Sequence, residues 1–376
     1  MKALLPDVDP EGLLEFSVVF TDRSLNHMSK AFQGVMREIS ASLREVYNAD
    51  GVALVPGGGT FAMEAVARQF ATGKRVMILR NGWFSYRWTQ IIEMGGLSAD
   101  VQVIKAQRML DNRDAPFAPM PIDALVRLIR ETKPDVLFAP HVETSAGIIL
   151  PDHYLRAIGA AMHEHGGLFA LDCIASGCVW VDMKDCNVDV LISAPQKGWS
   201  ATPCAGMVML SEHAKTVMAA TVSNSFACDL KKWFDMMVAY EKGGFAYHAT
   251  MPTDGLVILN DAINETRAIG FETAKQAQIS LGQKARAALE ARGYKSVAAE
   301  GFKAPGVAVS YTDDPGVQNG SKFVAQGVQI AAGVPLQVDE GADFKTFRIG
   351  LFGLDKLADV DATVSRLEAA LDGVVS

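Results

Sequence analysis

Lys197 and Asp172 are the residues whose types and setting promise chemistry. Lys197 follows Gln196 in the stretch SAPQKGW, directly after the apolar run Asp189–Ser193. Asp172 closes an earlier apolar run, LFAL, and the two positions, 172 and 197, lie 25 apart. Both runs read as buried strands, and in an open α/β sheet ligands bind at the carboxyl ends of strands. A lysine in an apolar site has its charged form disfavoured, so its amine becomes a better imine partner near neutrality. A lone loop lysine, or an aspartate capping a helix, is the plain alternative; delivery by two neighbouring strands outweighs both. An amine and a carboxylate converging there suit pyridoxal phosphate. The lysine holds the aldehyde as a Schiff base, and the acid pairs with the protonated pyridine nitrogen, which keeps the ring an electron sink.

Other stretches fit the same ligand. The strand VALV (52–55) runs into Pro56-Gly57-Gly58-Gly59, and a helix begins at Thr60. Strand, glycine turn and helix start aim free backbone N–H groups and the positive helix end at one spot, an anion cradle. Gly58, Gly59 and Thr60 alone are weak evidence; beside Lys197 they read as a phosphate cup. The spacing lacks G-x-G-x-x-G, so a dinucleotide site is not indicated. The aromatic run from Trp83 to Trp88 mostly feeds the core, with one ring free to stack on a pyridine face. The tract HVETSAG (141–147) follows a strand and offers hydroxyls to a ring hydroxyl. Arg348, inside the apolar FRIGL, alternates away from Phe347, Ile349 and Leu351; a guanidinium there would grip an α-carboxylate in two parallel bonds, with a structural ion pair as the rival.

These residues need a frame, and the hydrophobic periodicity supplies one. Apolar runs at 75–79, 101–104, 135–138, 168–171 and 189–193 alternate with helical spacing near 84–95, 122–132 and 153–165. That alternation predicts an α/β fold with a mostly parallel sheet covered on both faces. GMVML (206–210) follows without a crossover helix and reads as an antiparallel strand of the same sheet. Residues 1–25 read as an extended arm with a short strand at FSVVF, and a helix starts near Ser29. We expect a large domain over 26–262 and a smaller α+β domain over 263–376. A long helix over about 254–291 bridges them, and strands at 306–311 and 347–351 alternate with helices near 320–326 and 357–371.

Composition narrows the class. At 376 residues with a formal net charge of −8, the chain lacks the basic balance that phosphate-backbone binding needs. It shows no apolar run of membrane-spanning length and no signal-peptide pattern at its start, so a cytoplasmic protein is expected. Five cysteines at 173, 178, 186, 204 and 228 form no C-x-x-C and read as reduced thiols.

Taken together, LDCIAS, SAPQKGW, PGGGT with AMEA, HVETSAGIILP, YHATMP and FRIGLFG resemble, in content and order, the class V aminotransferases of fold type I. The likeness is to the alanine–glyoxylate and serine–pyruvate branch and runs from about Ser24 to Leu371. It implies a pyridoxal-phosphate enzyme with Lys197 as the Schiff-base lysine and Asp172 as the pyridine partner. It also implies Gly58, Gly59, Thr60 and Gln196 at the phosphate, Phe84 stacked on the ring with Trp83 as its neighbour, and Ile174 packed beneath. Ser145 or Thr144 would meet the cofactor hydroxyl, and Arg348 the substrate carboxylate. Tyr247 and Thr250 would reach the neighbouring subunit's phosphate, which implies a homodimer. The family's usual P-G-P turn is missing; EFSVVFTDRSLNHMS stands there, so Asn26, His27 and Arg23 would shape a different substrate pocket. The implied reaction moves an amino group from alanine or serine to glyoxylate or pyruvate. A lyase on a small amino acid or aminophosphonate is the alternative, and a non-catalytic module ranks below it. A desulfurase needs a cysteine late in the chain, and none follows Cys228.

Overall fold

The computed structural model describes residues 11–375. The first ten residues of the expected arm lie outside the described residues. Within the rest of it, FSVVF forms no strand but a bend. Glu15 accepts from Ser17 N–H at 2.7 Å and from the Asn26 side chain at 2.8 Å, so local side-chain bonds hold this segment where a sheet partner was expected.

Helix α1, Lys30–Tyr47, begins where sequence placed it. Ser29 Oγ accepts from Phe32 N–H as the N-cap, and Asn48 takes the left-handed conformation that ends the helix. Phe32, Met36, Ile39, Leu43 and Tyr47 form its buried stripe.

Seven strands build the main sheet: β1 (Gly51–Pro56), β2 (Arg75–Arg80), β3 (Asp100–Lys105), β4 (Val136–Pro140), β5 (Leu168–Asp172), β6 (Val190–Ser193) and β7 (Ala205–Leu210). Their order is β1-β7-β6-β5-β4-β2-β3. Strands β2 to β6 pair in parallel, and β7 runs antiparallel to both β1 and β6, as its missing crossover predicted. Strands β4, β5 and β6 are buried along their whole length, which explains why they read as continuous apolar runs. Helices α2 (Gly59–Phe70), α3 (Trp83–Gly95), α4 (Ile122–Thr132) and α5 (Asp152–His163) are the crossovers.

The long bridging helix is two helices, α8 (Thr253–Ile269) and α9 (Phe271–Glu290), following α6 (Glu212–Ala219) and α7 (Leu230–Glu241). Gly270 separates them at φ 95°, a conformation a side chain resists; its N–H closes α8 onto Thr266 and Arg267. Beyond α9, three antiparallel strands, Val307–Tyr311 (β8), Ala331–Ala332 (β9) and Thr346–Gly350 (β10), lie in the order β8-β10-β9. A separate apolar cluster joins them: Leu281 and Leu289 of α9 meet Phe347 and Ile349 of β10 and Leu371 of the last helix, Val360–Val375. Two short hairpins escaped the sequence reading, 107–108 with 117–118 and 142–143 with 148–149, because two-residue strands carry no periodicity. Among the described residues, no helix is long and apolar enough to cross a membrane.

Candidate active site

The site lies where the parallel strands end. Register puts Asp172 level with Pro140 of β4 on one side and Ile192 of β6 on the other. The chain leaves β6 at Ser193 and within four residues turns Lys197 into the cleft that Asp172 lines. The cleft offers about 90 Å³ to the centre of a water molecule, and its walls include Gly59, Thr60, Phe84, Thr144, Ile174 and Gln196. Among the described residues no ion pair within 4.0 Å links Asp172 to Lys197, although each feels the other's charge. The two line one cleft with space between them.

Burial dominates both groups. It pushes the Asp172 carboxyl up to about 6; an N–H bond from Ile174 and the charge of Lys197 pull the other way. Burial also lowers Lys197 below the ordinary ammonium range, opposed by Asp172 and reinforced by Arg87. An amine that sheds its proton easily and a carboxyl short of a cationic partner are complementary to an electrophilic, protonatable ring.

Pro56 hands β1 into the glycine turn, and α2 starts with no side-chain cap at Gly58. Among the described residues the N–H groups of Gly59 and Thr60 meet no acceptor, which leaves them for an anion. A side chain at Gly59 would sit 2.7 Å from Ile174 Cγ1, so glycine is what lets the helix start approach the ring-packing residue. Arg87 adds the cation. Its guanidinium donates to Thr60 Oγ1 at 3.2 Å and lies 4.8 Å from the Phe84 ring centre. Arg87 sits inside the aromatic run from Trp83 to Trp88, and nothing in the sequence pointed it at a phosphate.

On the facing wall α3 presents Phe84. Trp83 packs against Tyr86 at 5.8 Å between ring centres and is no part of the lining. The Phe84 ring has Lys197 Nζ at 5.8 Å and the Arg348 guanidinium at 5.7 Å, with Phe352 5.6 Å from Lys197. Glu143 fixes this helix start. It is fully buried and accepts from the N–H groups of Phe84 and Ser85 at 3.1 and 2.9 Å and from both Ser85 and Ser145 hydroxyls at 2.7 Å. Sequence reasoning passed over Glu143 inside the hydroxyl-rich tract; only the tertiary approach of α3 reveals its task. Ser145 is consumed here, accepting from Trp83 N–H at 2.9 Å, whereas Thr144 faces the cleft.

Arg348 donates to Ala332 O at 2.8 Å, and burial lowers its guanidinium below the ordinary range against the pull of Glu143. Arg348 is not part of the cleft lining, and the remaining candidates lie outside it too. Asn26 spends its amide on Glu15 and Ser17. His27 is buried among Phe20, Phe245 and Tyr247. Tyr247 is half exposed and shares a hydrogen bond with Thr250 at 3.1 Å. Gly58 faces open space. A roomier groove of about 670 Å³, lined by His141, Arg286, Glu290 and Lys303 among others, lacks this chemistry and lies apart from Lys197.

This sheet is the α/β architecture of fold type I, with Lys197 and Asp172 at adjacent strand ends beside an uncapped helix start. The description aminotransferase class-V matches residues 15–335, and the chain belongs to that family; it is a pyridoxal-phosphate-dependent aminotransferase. A Synechococcus protein named soluble hydrogenase, small subunit, is 27% identical over 98% of this chain and 93% of its own length. A 2-aminoethylphosphonate–pyruvate transaminase of Paraburkholderia phymatum is 26% identical over 89% of this chain and 88% of its own. The solved alanine–glyoxylate aminotransferase of a Nostoc species shares the fold at TM-score 0.76 and 23% identity, covering 92% of this chain and 88% of that one.

Proposed function

We propose that the chain transfers an amino group between a small amino acid, alanine or serine, and a 2-oxo acid, glyoxylate or pyruvate. The observation that carries this is the meeting of Lys197 and Asp172 in one cleft from adjacent strand ends. The transaminase relative acts, by its name, with pyruvate, and others are named for glyoxylate, which supports a short acceptor.

When bound, pyridoxal phosphate supplies an aldehyde to join the amine and a ring that accepts electrons from the substrate carbon. The donor set fits that group. Lys197 would hold it covalently, and Asp172 would keep the ring nitrogen protonated; the lack of a cationic contact on Asp172 is what that nitrogen satisfies. Gly58, Gly59, Thr60 and Gln196 would take the phosphate, with Arg87 as its counter-charge. Phe84 and Ile174 would sandwich the ring, and Thr144, rather than Ser145, has a hydroxyl free for the ring oxygen. Lys197 would also move the proton at the substrate α-carbon, and burial, which lowers its ammonium below the ordinary range, suits a general base. Arg348 orients the α-carboxylate.

Tyr247 and Thr250 do not reach this chain's own cleft, which supports reading them as ligands for a second copy's phosphate in a homodimer. His27 packs on Tyr247 at 5.5 Å, so the divergent N-terminal segment, Asn26 included, would serve the partner's substrate pocket by the same route. Phe61, Val222, Phe226 and Phe245, all substantially exposed, supply apolar area for such an interface. We read 26–262 as the large domain and 263–376 as the small one. All five thiols are buried and raised above their ordinary range, the reverse of what a persulfide-forming cysteine needs.

The test is the cofactor-loaded protein's visible spectrum, read beside a panel of amino donors and 2-oxo acids. Wild type should show an absorption that Lys197→Ala abolishes, and alanine or serine should bleach it reversibly. A spectrum unchanged in Lys197→Ala rejects the role of Lys197. Release of pyruvate or ammonia without any acceptor would favour the lyase instead.

A further inference from the structure

We propose that His163, Asp189 and His213 bind a first-row divalent transition cation of the zinc class at the amino-terminal end of β6, the end opposite the cleft. Asp189 immediately precedes β6, whereas Lys197 follows it. At about 3.3 Å per strand residue, the four residues of β6 set the two sites on the order of 13 Å apart. Nothing in the proposed transamination uses this triad.

The geometry is that of a ligand set. The candidate ligand atoms of the three residues lie within 4.8 Å of one another. His163 Nε2 is 2.9 Å from Asp189 Oδ2, and His213 Nδ1 is 3.3 Å from Asp189 Oδ1. Bonds of about 2.1 Å to a tetrahedral ion imply edges of about 3.4 Å between donors; the His213 spacing matches that edge, and the His163 spacing, a hydrogen bond to the other carboxylate oxygen, would open as the ion takes the proton's place. Two imidazoles and a carboxylate are the donors zinc takes where it keeps a position open to solvent. Here the opening is a surface groove of about 270 Å³ that both histidines line.

The carboxylate is held before any ion arrives. Asp189 is almost wholly buried, yet its oxygens point at two half-exposed rings. Phe169 N–H donates to Oδ2 at 2.9 Å and Ser211 Oγ to Oδ1 at 3.0 Å; the lone pairs that remain face His163 Nε2, hydrogen-bonded to Oδ2 at 2.9 Å, and His213 Nδ1, 3.3 Å from Oδ1, and an ion would replace those two contacts. The Asp189 backbone is pinned as well, donating to Phe169 O and accepting from Ser211 N, both at 2.9 Å. Outer bonds of this kind orient a ligating carboxylate. His163 closes α5 and His213 opens α6, so an ion would tie two helices to the start of β6. Lys184 lines the same groove but is engaged with Asp50 at 2.9 Å.

Cofactor-loaded protein stripped by a chelator is dialysed against Zn²⁺ and its metal content measured; Co²⁺ then reports geometry through its ligand-field absorption. Uptake of about one ion per chain is expected, with affinity at least about ten-fold weaker in His163→Ala or His213→Ala and unchanged in Lys184→Ala. Both histidines are half exposed, so folding should survive; circular dichroism and an unchanged cofactor spectrum check it. No uptake by wild type, or undiminished uptake by the double histidine variant, overturns the proposal. The transamination reading is untouched either way, because its readout is the cofactor spectrum.

Discussion

Glu143 Oε1 accepts a hydrogen bond from the backbone N–H of Phe84 at 3.1 Å, so a buried carboxylate from beyond β4 sets the ring that walls the cleft. A negative charge at a helix start is favourable, and here it also satisfies donors from Ser85 and Ser145. Glu143→Ala strands all of them out of water. We expect a loss of about 3–5 kcal/mol on denaturant unfolding, with Glu143→Gln losing less. A Glu143→Ala melt within about 0.5 kcal/mol of wild type would show that the network relaxes without it.

Asp172 carries a pH prediction with a definite sign. Its carboxyl is raised from 3.8 to about 6 in the fold. Between those values the unfolded chain releases a proton that the folded chain keeps, so the group's contribution to stability falls as pH rises from about 4 to 6. The shift corresponds to about 3 kcal/mol. Cofactor-free Asp172→Asn should therefore match wild type near pH 4 and exceed it above pH 6, while binding pyridoxal phosphate more weakly. Parallel stability curves for the two proteins across that range would refute the assignment of burial as the cause.

Arg87 separates the phosphate from the rest of the cofactor. If its guanidinium is the phosphate's counter-charge, Arg87→Ala should weaken pyridoxal phosphate about 10- to 100-fold and leave pyridoxal, which lacks the phosphate, nearly unchanged. Fluorescence titration of the cofactor-free protein reads both. Equal losses for the two ligands would mean that Arg87 acts only by packing on Phe84.

What the sequence disclosed and what it hid follow from one physical distinction. Strands β4 to β6 announce themselves because burial on both faces demands unbroken apolar runs, and those runs carry Asp172 and Lys197 with them. The start of α1 at Ser29 is local in the chain and was legible for that reason. Glu143 was not, since its partners Phe84 and Ser85 lie almost sixty residues away and no periodicity encodes the pairing. Thr144 against Ser145 is a matter of which neighbour faces the cleft, decided by the approach of α3. The helical spacing over about 254–291 runs through Gly270 unbroken, and only its positive φ shows the break.

The position of Tyr247 and Thr250 outside the lining of their own cleft yields a prediction about shared sites. Each active site of a homodimer would take Lys197 from one chain and this pair from the other. Lys197→Ala and the double variant Tyr247→Ala/Thr250→Ala should each be nearly inactive alone. When the two are unfolded together and refolded, half the dimers are mixed. In each mixed dimer one site carries both lesions and the other carries neither. Activity should therefore return to about a quarter of wild type, whereas sites complete within one chain would recover nothing, because every chain in the mixture is damaged.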